Sequence, residues 1–330
     1  MFAWLVPARH VLLSALPRQD RAVVHVAGED AARFLQGLLT ADVSALTPGR
    51  AIPAGLLTVK GKLVSELWVL ATVDPDDEDE TRLALALPAE LAESVTKALD
   101  DHIIMDDVEL ETPEPGAAAL LLRFGSLSEA KVEAPAGVAR FTCAHPLAGE
   151  LWLGSTSALA EAAAALAAAG SQVADAPTFT RARVDQARPA WGFELTPDRF
   201  PPEIGFVDAV SYAKGCYLGQ EPLSRIHNRG QVNRVMVRVM AMEPPSQAMA
   251  DGPIALLAED KEVGAWTSWA PSNDGSSAVG LAVIRRAHAK PGTQLRTASG
   301  GLVEVGSGPL GDDPGGDSNE QTATVKLGGR

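Results

Sequence analysis

Apolar residues in the first half of the chain follow two periods that alternate from segment to segment. Period-two segments and short apolar runs predict strands over residues 21–27, 63–73, 82–87, 103–111, 117–123, 138–142 and 150–154. Helical periodicity predicts helices over about 30–39, 88–100 and 158–169. We expect Ser155 or Ser157 to cap the last helix and Gly170 to end it. The order strand–strand–helix thus occurs twice, at 63–100 and 138–169, which is typical of an α+β fold.

The pattern changes after residue 235. Short strands separated by Gly, Pro and Asn/Asp turns predict a small β-barrel. Residues 311–330 are rich in Gly and Asp and lack an apolar period, so we expect a disordered tail. The DPDDEDE segment at 74–80 is expected to be a solvated acidic turn, with cation binding as the alternative.

Composition excludes several classes of function. The formal net charge is -14, which argues against stable, non-specific nucleic-acid binding. Two cysteines exclude a disulfide framework and a four-cysteine metal site in one chain, so no metal ligands are assigned, and both thiols fit a reducing cytosol. The alanine-rich run at 158–169 is short and contains Glu161, and the N-terminus lacks a basic region. We therefore expect a cytoplasmic protein without a membrane span or signal peptide.

One segment is positively charged, although the chain as a whole is negatively charged. Residues 214–234 contain four Lys/Arg and one Glu, which makes them a candidate anion site. If the segment is extended, Lys214 and Cys216 project from the same face. A neighbouring ammonium favours the thiolate, so Cys216 is a candidate reactive group. Two glycines allow close approach of the backbone to a ligand.

The run KGCYLGQE at 214–221, followed by Arg225 and an Arg-Gly pair at 229–230, resembles the signature of the YgfZ family. Segments 28–49, 188–216 and 263–292 extend this resemblance to most of residues 20–305. The resemblance implies a three-subdomain ring of the folate-binding fold found in the glycine-cleavage T-protein. It implies a discontinuous folate-binding core at 1–50 and 181–235, with an α+β subdomain at 51–180 between its two parts. A C-terminal β-barrel at 236–310 and the disordered tail at 311–330 would follow.

The family resemblance also implies a function. It suggests a folate-binding protein that supports assembly or repair of iron–sulfur enzymes, including those that methylthiolate tRNA. The implied ligand is tetrahydrofolate, and the implied partners are iron–sulfur client or scaffold proteins. Two rivals stay open, a tetrahydrofolate-dependent aminomethyltransferase and an interaction module that binds no folate.

The cofactor-binding candidates are Asp185, Glu203, Tyr217, Gln220, Glu221, Arg225 and Arg229. The cations suit the carboxylates of a folate tail, although at least one is expected to pair with Glu203, Glu221 or Asp208 instead. The pterin ring presents donors and needs an acceptor. Asp185 matches the position of a T-protein glutamate but is one methylene shorter, and Glu203 is the second candidate. A surface carboxylate at Asp185 and simple packing of Tyr217 are the alternatives.

Cys216 and Lys214 are the candidate reactive pair. Three roles for Cys216 stay open: sulfur or cluster handling, nucleophilic catalysis with His227 as base, and packing as a buried thiol. The residues at 65 and 66 distinguish a folate-binding assembly protein from an aminomethyltransferase. Where T-proteins carry an Asp-Asp pair, this chain has Ser65-Glu66, which puts general acid–base catalysis in doubt.

Overall fold

The fold was analysed in a computed structural model that describes residues 7–73, 81–129, 132–197, 199–229, 232–272 and 274–311. The chain forms two compact units. The first contains the described residues up to Leu56 together with Ser65–Phe179, and the second contains Leu57–Val64 and the described residues from Thr180 onward. The predicted division into three subdomains stays a prediction. The expected acidic turn at 74–80 and residues 312–330 of the expected tail lie outside the described residues.

Strands and helices alternate through the first unit, whereas the second unit contains the end of the fourth helix, the fifth helix and then a run of strands. The helices are Ala31–Leu38 (α1), Ala92–Asp100 (α2), Thr156–Ala168 (α3), Ala176–Asp185 (α4) and Gln220–Arg229 (α5). The strands of the first unit are Arg9–Leu12 (β1), Arg21–Ala27 (β2), Arg50–Leu57 (β3), Leu63–Val73 (β4), Thr81–Pro88 (β5), Glu109–Glu111 (β6), Ala119–Phe124 (β7), Ala139–Cys143 (β8), Gly149–Gly154 (β9) and Gln172–Val173 (β10). Those of the second unit are Arg234–Ala241 (β11), Ile254–Ala258 (β12), Lys261–Pro271 (β13), Ala278–Arg285 (β14), Gln294–Thr297 (β15) and Leu302–Val305 (β16).

The first unit is built on one sheet of ten strands in the order β10-β1-β7-β9-β8-β3-β4-β5-β2-β6. Helix α3 packs its Leu159 and Leu166 against Leu121 and Trp152 of the sheet. The predicted cap forms, since the Ser155 hydroxyl accepts a hydrogen bond from the amide of Ala158 at 3.2 Å. Strands β4 and β5 precede α2, and strands β8 and β9 precede α3. Both predicted strand–strand–helix repeats and the α+β class are therefore confirmed.

Two sequence predictions in this unit were wrong in extent. The strand expected at 103–111 is confined to Glu109–Glu111, because the apolar side chains of Ile104 and Met105 are exposed rather than buried. Pro88 ends strand β5 instead of opening a helix; a 3-10 turn over Ala89–Leu91 precedes α2.

The second unit contains a closed barrel in the order β11-β14-β13-β12-β15-β16. Its core includes Val237, Leu256, Trp266, Ile284 and Val305, all nearly inaccessible to solvent. The predicted C-terminal barrel is therefore confirmed. Helices α4 and α5 and the irregular chain between them precede it in the sequence.

A buried ion pair lies within the sheet unit. Nη2 of Arg21 is 2.9 Å from Oε2 of Glu66, and both side chains are 1% exposed. The other oxygen of Glu66 accepts hydrogen bonds from Nε2 of His145 at 2.6 Å and Nε1 of Trp68 at 2.8 Å. Burial by itself would raise the pKa of Glu66, but the Arg21 charge and the bonds from His145 and Trp68 outweigh it and hold the pKa at about 2. Glu66 is therefore an ionised structural carboxylate.

Replacing Glu66 should destabilise the fold in a pH-dependent way. Glu66→Gln leaves Arg21 buried without a counter-charge, so we expect a loss of about 3–5 kcal/mol in the free energy of unfolding at neutral pH. Because the folded-state pKa is about 2 and the ordinary value is 4.5, the carboxylate stabilises the fold fully above pH 4.5. That contribution is lost as the pH falls towards 2.

Urea unfolding of both proteins at a series of pH values checks this prediction. The difference between wild type and Glu66→Gln should narrow as the solution becomes more acidic than about pH 4.5. The exposed Glu93 serves as the matched control, and Glu93→Gln should change the free energy by less than about 0.5 kcal/mol. A constant difference across the whole pH range would contradict an ionised Glu66.

Candidate functional site

The signature segment is an irregular approach followed by a helix, rather than the extended strand considered from the sequence. Residues 212–215 bend, Leu218 and Gly219 form a turn, and α5 begins at Gln220. Lys214 and Cys216 therefore do not share the face of a strand. The signature ends in a helix that presents Glu221 and Arg225 to solvent.

Glycines in the signature allow it to pack against the β3–β4 turn. Gly219 has a φ of +77°, and a Cβ there would meet the carbonyl of Thr58 and lie 2.9 Å from Cβ of Leu57. Gly61 in the turn has a φ of +74°, and its Cβ would lie 3.0 Å from Cβ of Pro222. Both positions combine a left-handed backbone with close backbone approach, which favours glycine. Gly219 therefore has a structural role, as expected for a turn glycine.

The same turn contacts the chain that precedes the signature. The amide of Leu63 donates to the carbonyl of Arg199 at 2.8 Å. Nζ of Lys62 lies 3.6 Å from the centroid of the Phe200 ring, a cation–π contact. Within the second unit, the β3–β4 turn thus contacts both the chain at Arg199 and Phe200 and helix α5.

Lys214, Cys216 and Tyr217 have different environments. Nζ of Lys214 lies 5.0 Å from the centroid of the Tyr217 ring. Tyr217 is buried, its hydroxyl lacks a hydrogen-bond partner among the described residues, and burial raises its pKa to about 12. Cys216 is exposed. The exposure of Cys216 disagrees with the packing alternative considered from the sequence and leaves the thiol open to a reactant.

His227 was the candidate base for Cys216. Its ring stacks on Tyr212 with a centroid distance of 3.9 Å and an interplanar angle of 11°. Its Nδ1 is buried and has no hydrogen-bond partner in the described part of the chain. This stacking fixes the imidazole against Tyr212, and no contact in the described residues connects it to Cys216.

The cations of this region are partly engaged with carboxylates. Arg225 pairs with Glu221 one helical turn away at 3.1 Å, and both side chains are largely exposed. Arg188 pairs with Asp208. Of the cations considered for the folate tail, Arg225 therefore has one of the expected carboxylate partners, Glu221. Arg229 ends α5, and its side chain, like residues 230 and 231, lies outside the described residues.

The two candidate pterin ligands lie in different local structures. Asp185 is the last residue of α4; it is 55% exposed and accepts from Nε of Arg181 at 2.9 Å. Glu203 lies in a 3-10 turn and accepts from the amide of Phe200 at 3.2 Å. Asp185 therefore remains accessible as an acceptor, whereas Glu203 also stabilises the turn that contains it.

A buried carboxylate, Glu194, holds the irregular chain between α4 and α5. It was not predicted from the sequence. Glu194 accepts from Nη1 of Arg183 and from the amide of Ala190, each at 3.1 Å. Its other oxygen accepts from the hydroxyls of Thr267, at 2.7 Å, and Ser268 on strand β13. Glu194 thereby ties α4 and the irregular chain to the barrel. The only sequence signal was a lone acidic residue within the apolar run WGFEL at 191–195.

The Ser65-Glu66 pair and Cys143 are buried in the first unit. Ser65 donates to the carbonyl of Glu66 at 2.7 Å, and Glu66 is committed to Arg21. Burial raises the pKa of the Cys143 thiol to about 12, and its Sγ donates weakly to the carbonyl of Leu147. Cys143 is therefore a buried thiol whose surroundings disfavour the thiolate, in contrast to the exposed Cys216.

Two further features of the described residues bear on function. They contain no group of three or more His, Cys, Asp or Glu side chains arranged to hold a metal ion. Within the same described ranges, no helix is long and apolar enough to cross a membrane.

Comparison with known proteins reveals relatives along most of the chain, although no family model matches. The chain is 25% identical over 304 residues to the human protein named iron-sulfur cluster assembly factor IBA57, mitochondrial, covering 86% of this chain and 81% of that protein. The mouse protein of the same name is 27% identical over 315 residues, with coverages of 91% and 85%. The tRNA-modifying protein YgfZ of Sodalis glossinidius is 26% identical over 268 residues, with coverages of 73% and 76%.

A solved structure shows the fold. The glycine cleavage system aminomethyltransferase T from Bartonella henselae matches with a TM-score of 0.73 at 17% identity, covering 92% of this chain and 86% of that one. The likeness confirms the predicted T-protein-like fold. The relatives agree with the resemblance seen in the signature, and the chain is a homologue, at modest identity, of proteins named IBA57 and YgfZ.

Proposed function

We propose that this protein supports the assembly or repair of iron–sulfur enzymes, including enzymes that modify tRNA, and that it binds tetrahydrofolate. The names of its relatives, iron-sulfur cluster assembly factor and tRNA-modifying protein, support the proposal. The proposed location is the cytoplasm, and the proposed partners are iron–sulfur client or scaffold proteins, without a stable direct contact to nucleic acid.

The observation that carries the proposal is the exposure of Cys216 within the signature. An exposed thiol can react with a sulfur donor, an iron ion or a partner protein, whereas a buried thiol cannot. The neighbouring Lys214 is held near Tyr217 and supplies a positive charge to the same segment. Cys216 is therefore the proposed working group, with Lys214 as its electrostatic support.

The residues of the second unit fit folate chemically. The exposed guanidinium of Arg225 has donors left for a tail carboxylate beyond its single bond to Glu221. Asp185 is exposed and can accept further hydrogen bonds beside Arg181, as a pterin acceptor must. We assign the tail to Arg225 and Arg229, and the pterin to Asp185 or Glu203. Tyr217, Gln220 and Glu221 complete the proposed site. Bound folate would supply a one-carbon carrier; the protein would orient it.

An aminomethyltransferase is the alternative function, and the likeness to a T-protein structure favours it. The positions compared with the T-protein acidic pair argue against it, since Ser65 is buried and Glu66 is ionised and paired with Arg21. Neither group is available to protonate a folate nitrogen. Assaying the protein with a methylamine donor and tetrahydrofolate separates the two functions, because turnover would favour the transferase.

The tail assignment predicts weaker folate binding when the helix cations are removed. Arg225→Ala combined with Arg229→Ala should weaken tetrahydrofolate binding by about 1.5–3 kcal/mol for each charged hydrogen bond lost. Calorimetry measures this effect. Arg296→Ala, which removes an exposed barrel arginine, is the matched control and should bind as wild type does. Equal affinity in the double variant would place the tail elsewhere.

The pterin assignment predicts that a carboxylate reads the ring. Asp185→Asn or Glu203→Gln should weaken binding of both tetrahydrofolate and a tail-free pterin, because an amide presents a donor where the ring needs an acceptor. Thermal unfolding of each variant shows whether Glu203→Gln merely loosens the turn at Phe200. If both variants bind the pterin normally, another residue contacts the ring.

The role of Cys216 predicts a loss of function without a loss of fold. Cys216→Ser should unfold like wild type yet fail to restore [4Fe–4S] enzyme activity in cells lacking their own homologue. Cys143→Ser should instead cost stability, about 1–3 kcal/mol for a buried hydroxyl. In the folded protein, iodoacetamide should label Cys216 before Cys143, and labelling should slow in Lys214→Ala. Full rescue by Cys216→Ser would exclude the thiol from the function.

A further inference from the structure

One end of the barrel contains a pocket whose lining is rich in arginine. Its volume is about 500 Å³, and it is lined by Val232, Asn233, Arg234, Arg285, Arg286 and Ala287. Pockets of about 300–1,000 Å³ are typical of small-molecule sites. None of these residues belongs to the folate site proposed above. The pocket combines a suitable size with three guanidinium groups in a chain of net charge -14.

The strand register places two of these arginines opposite each other. Arg234 opens β11, Arg285 ends β14, and the two residues are direct antiparallel partners. Like charges in directly opposite positions destabilise a sheet. Within the described ranges, neither guanidinium forms a hydrogen bond or an ion pair with the protein. The register therefore places two like charges on neighbouring strands, and the described part of the chain supplies neither with a counter-ion.

The third arginine is fixed in place. Nε of Arg286 donates to the carbonyl of Val232 at 3.0 Å, and its backbone amide donates to the carbonyl of Asn233 at 2.9 Å. The Nε bond anchors the side chain at the pocket wall and leaves its terminal nitrogens as donors. A donor held in advance loses less freedom when a ligand binds.

We propose that this pocket binds a small ligand through one or two phosphate groups. The planar fork of a guanidinium pairs with phosphate oxygens through two parallel bonds. A phosphate monoester carries about -1.5 to -2 charge at pH 7, so one or two such groups match three guanidiniums, whereas a single carboxylate does not. Binding would also relieve the repulsion between Arg234 and Arg285.

Calorimetry with inorganic pyrophosphate tests the proposal. Wild type should bind it, and Arg234→Gln or Arg285→Gln should weaken binding about tenfold or more, the equivalent of one lost charged hydrogen bond. Arg296→Gln, an exposed arginine of strand β15, is the control and should bind as wild type does. No binding to wild type, or an equal loss in the control, would overturn the site.

Other ligands test which chemical class of molecule the pocket binds. Citrate should bind more weakly than pyrophosphate; equal binding would overturn the preference for phosphate. Single-stranded RNA should not displace pyrophosphate; displacement with a steep salt dependence would indicate a nucleic-acid surface instead. Tetrahydrofolate affinity should be unchanged in Arg285→Gln, and a parallel loss would assign the pocket to the folate site.

Thermal unfolding of the unliganded protein gives an independent readout. At low ionic strength, Arg285→Gln should melt at or above the wild-type temperature, because it removes the like-charge pair. Pyrophosphate should raise the melting temperature of wild type but not that of the variant. A variant that melts well below wild type without ligand would show that Arg285 supports the fold, and would overturn the argument from repulsion.

Discussion

The buried carboxylate of Glu194 is the interaction on which the second unit depends. Much of the chain between α4 and α5 lacks strands or long helices, so side-chain contacts to other elements help to hold it in place. Glu194 supplies fixed partners by accepting from Arg183 on one side and from Thr267 and Ser268 of the barrel on the other. Burying a carboxylate is costly unless its oxygens are paired and hydrogen-bonded, and here both are. The signature is positioned by this anchor and by the glycine contacts at Gly61 and Gly219.

Local patterns were sufficient to predict the regular parts of the fold. Strand β2 alternates apolar and polar positions, β4 is a long apolar run, and α3 is an alanine-rich run with a serine cap, so their bounds were predicted closely. Helix α5 was missed because Leu223 and Ile226 are its only large apolar residues, and because the signature was considered as an extended segment. The exposed pair Ile104 and Met105 misled the strand prediction, since periodicity cannot show which apolar residues are buried.

The site was predicted by resemblance more than by pattern. The exposure of Cys216 and the burial of Cys143 depend on tertiary packing, and neither could be inferred from sequence spacing. The pairing of Arg225 with Glu221 was anticipated as an alternative, and the structure shows that helix α5 places the two residues one turn apart. The opposition of Arg234 and Arg285 required the barrel register, which links residues about fifty positions apart. The structure therefore shows which charged residues lie close together, and composition alone does not show this.

Hydrogen exchange of the folded protein with and without tetrahydrofolate tests most directly whether the signature surface is the functional site. Folate bound at the signature should slow exchange in residues 199–229, which include α5, and in the β3–β4 turn that packs against them. Exchange in the sheet core around Glu66 should be unchanged. Protection absent from 199–229, or found only in the barrel strands, would contradict the account.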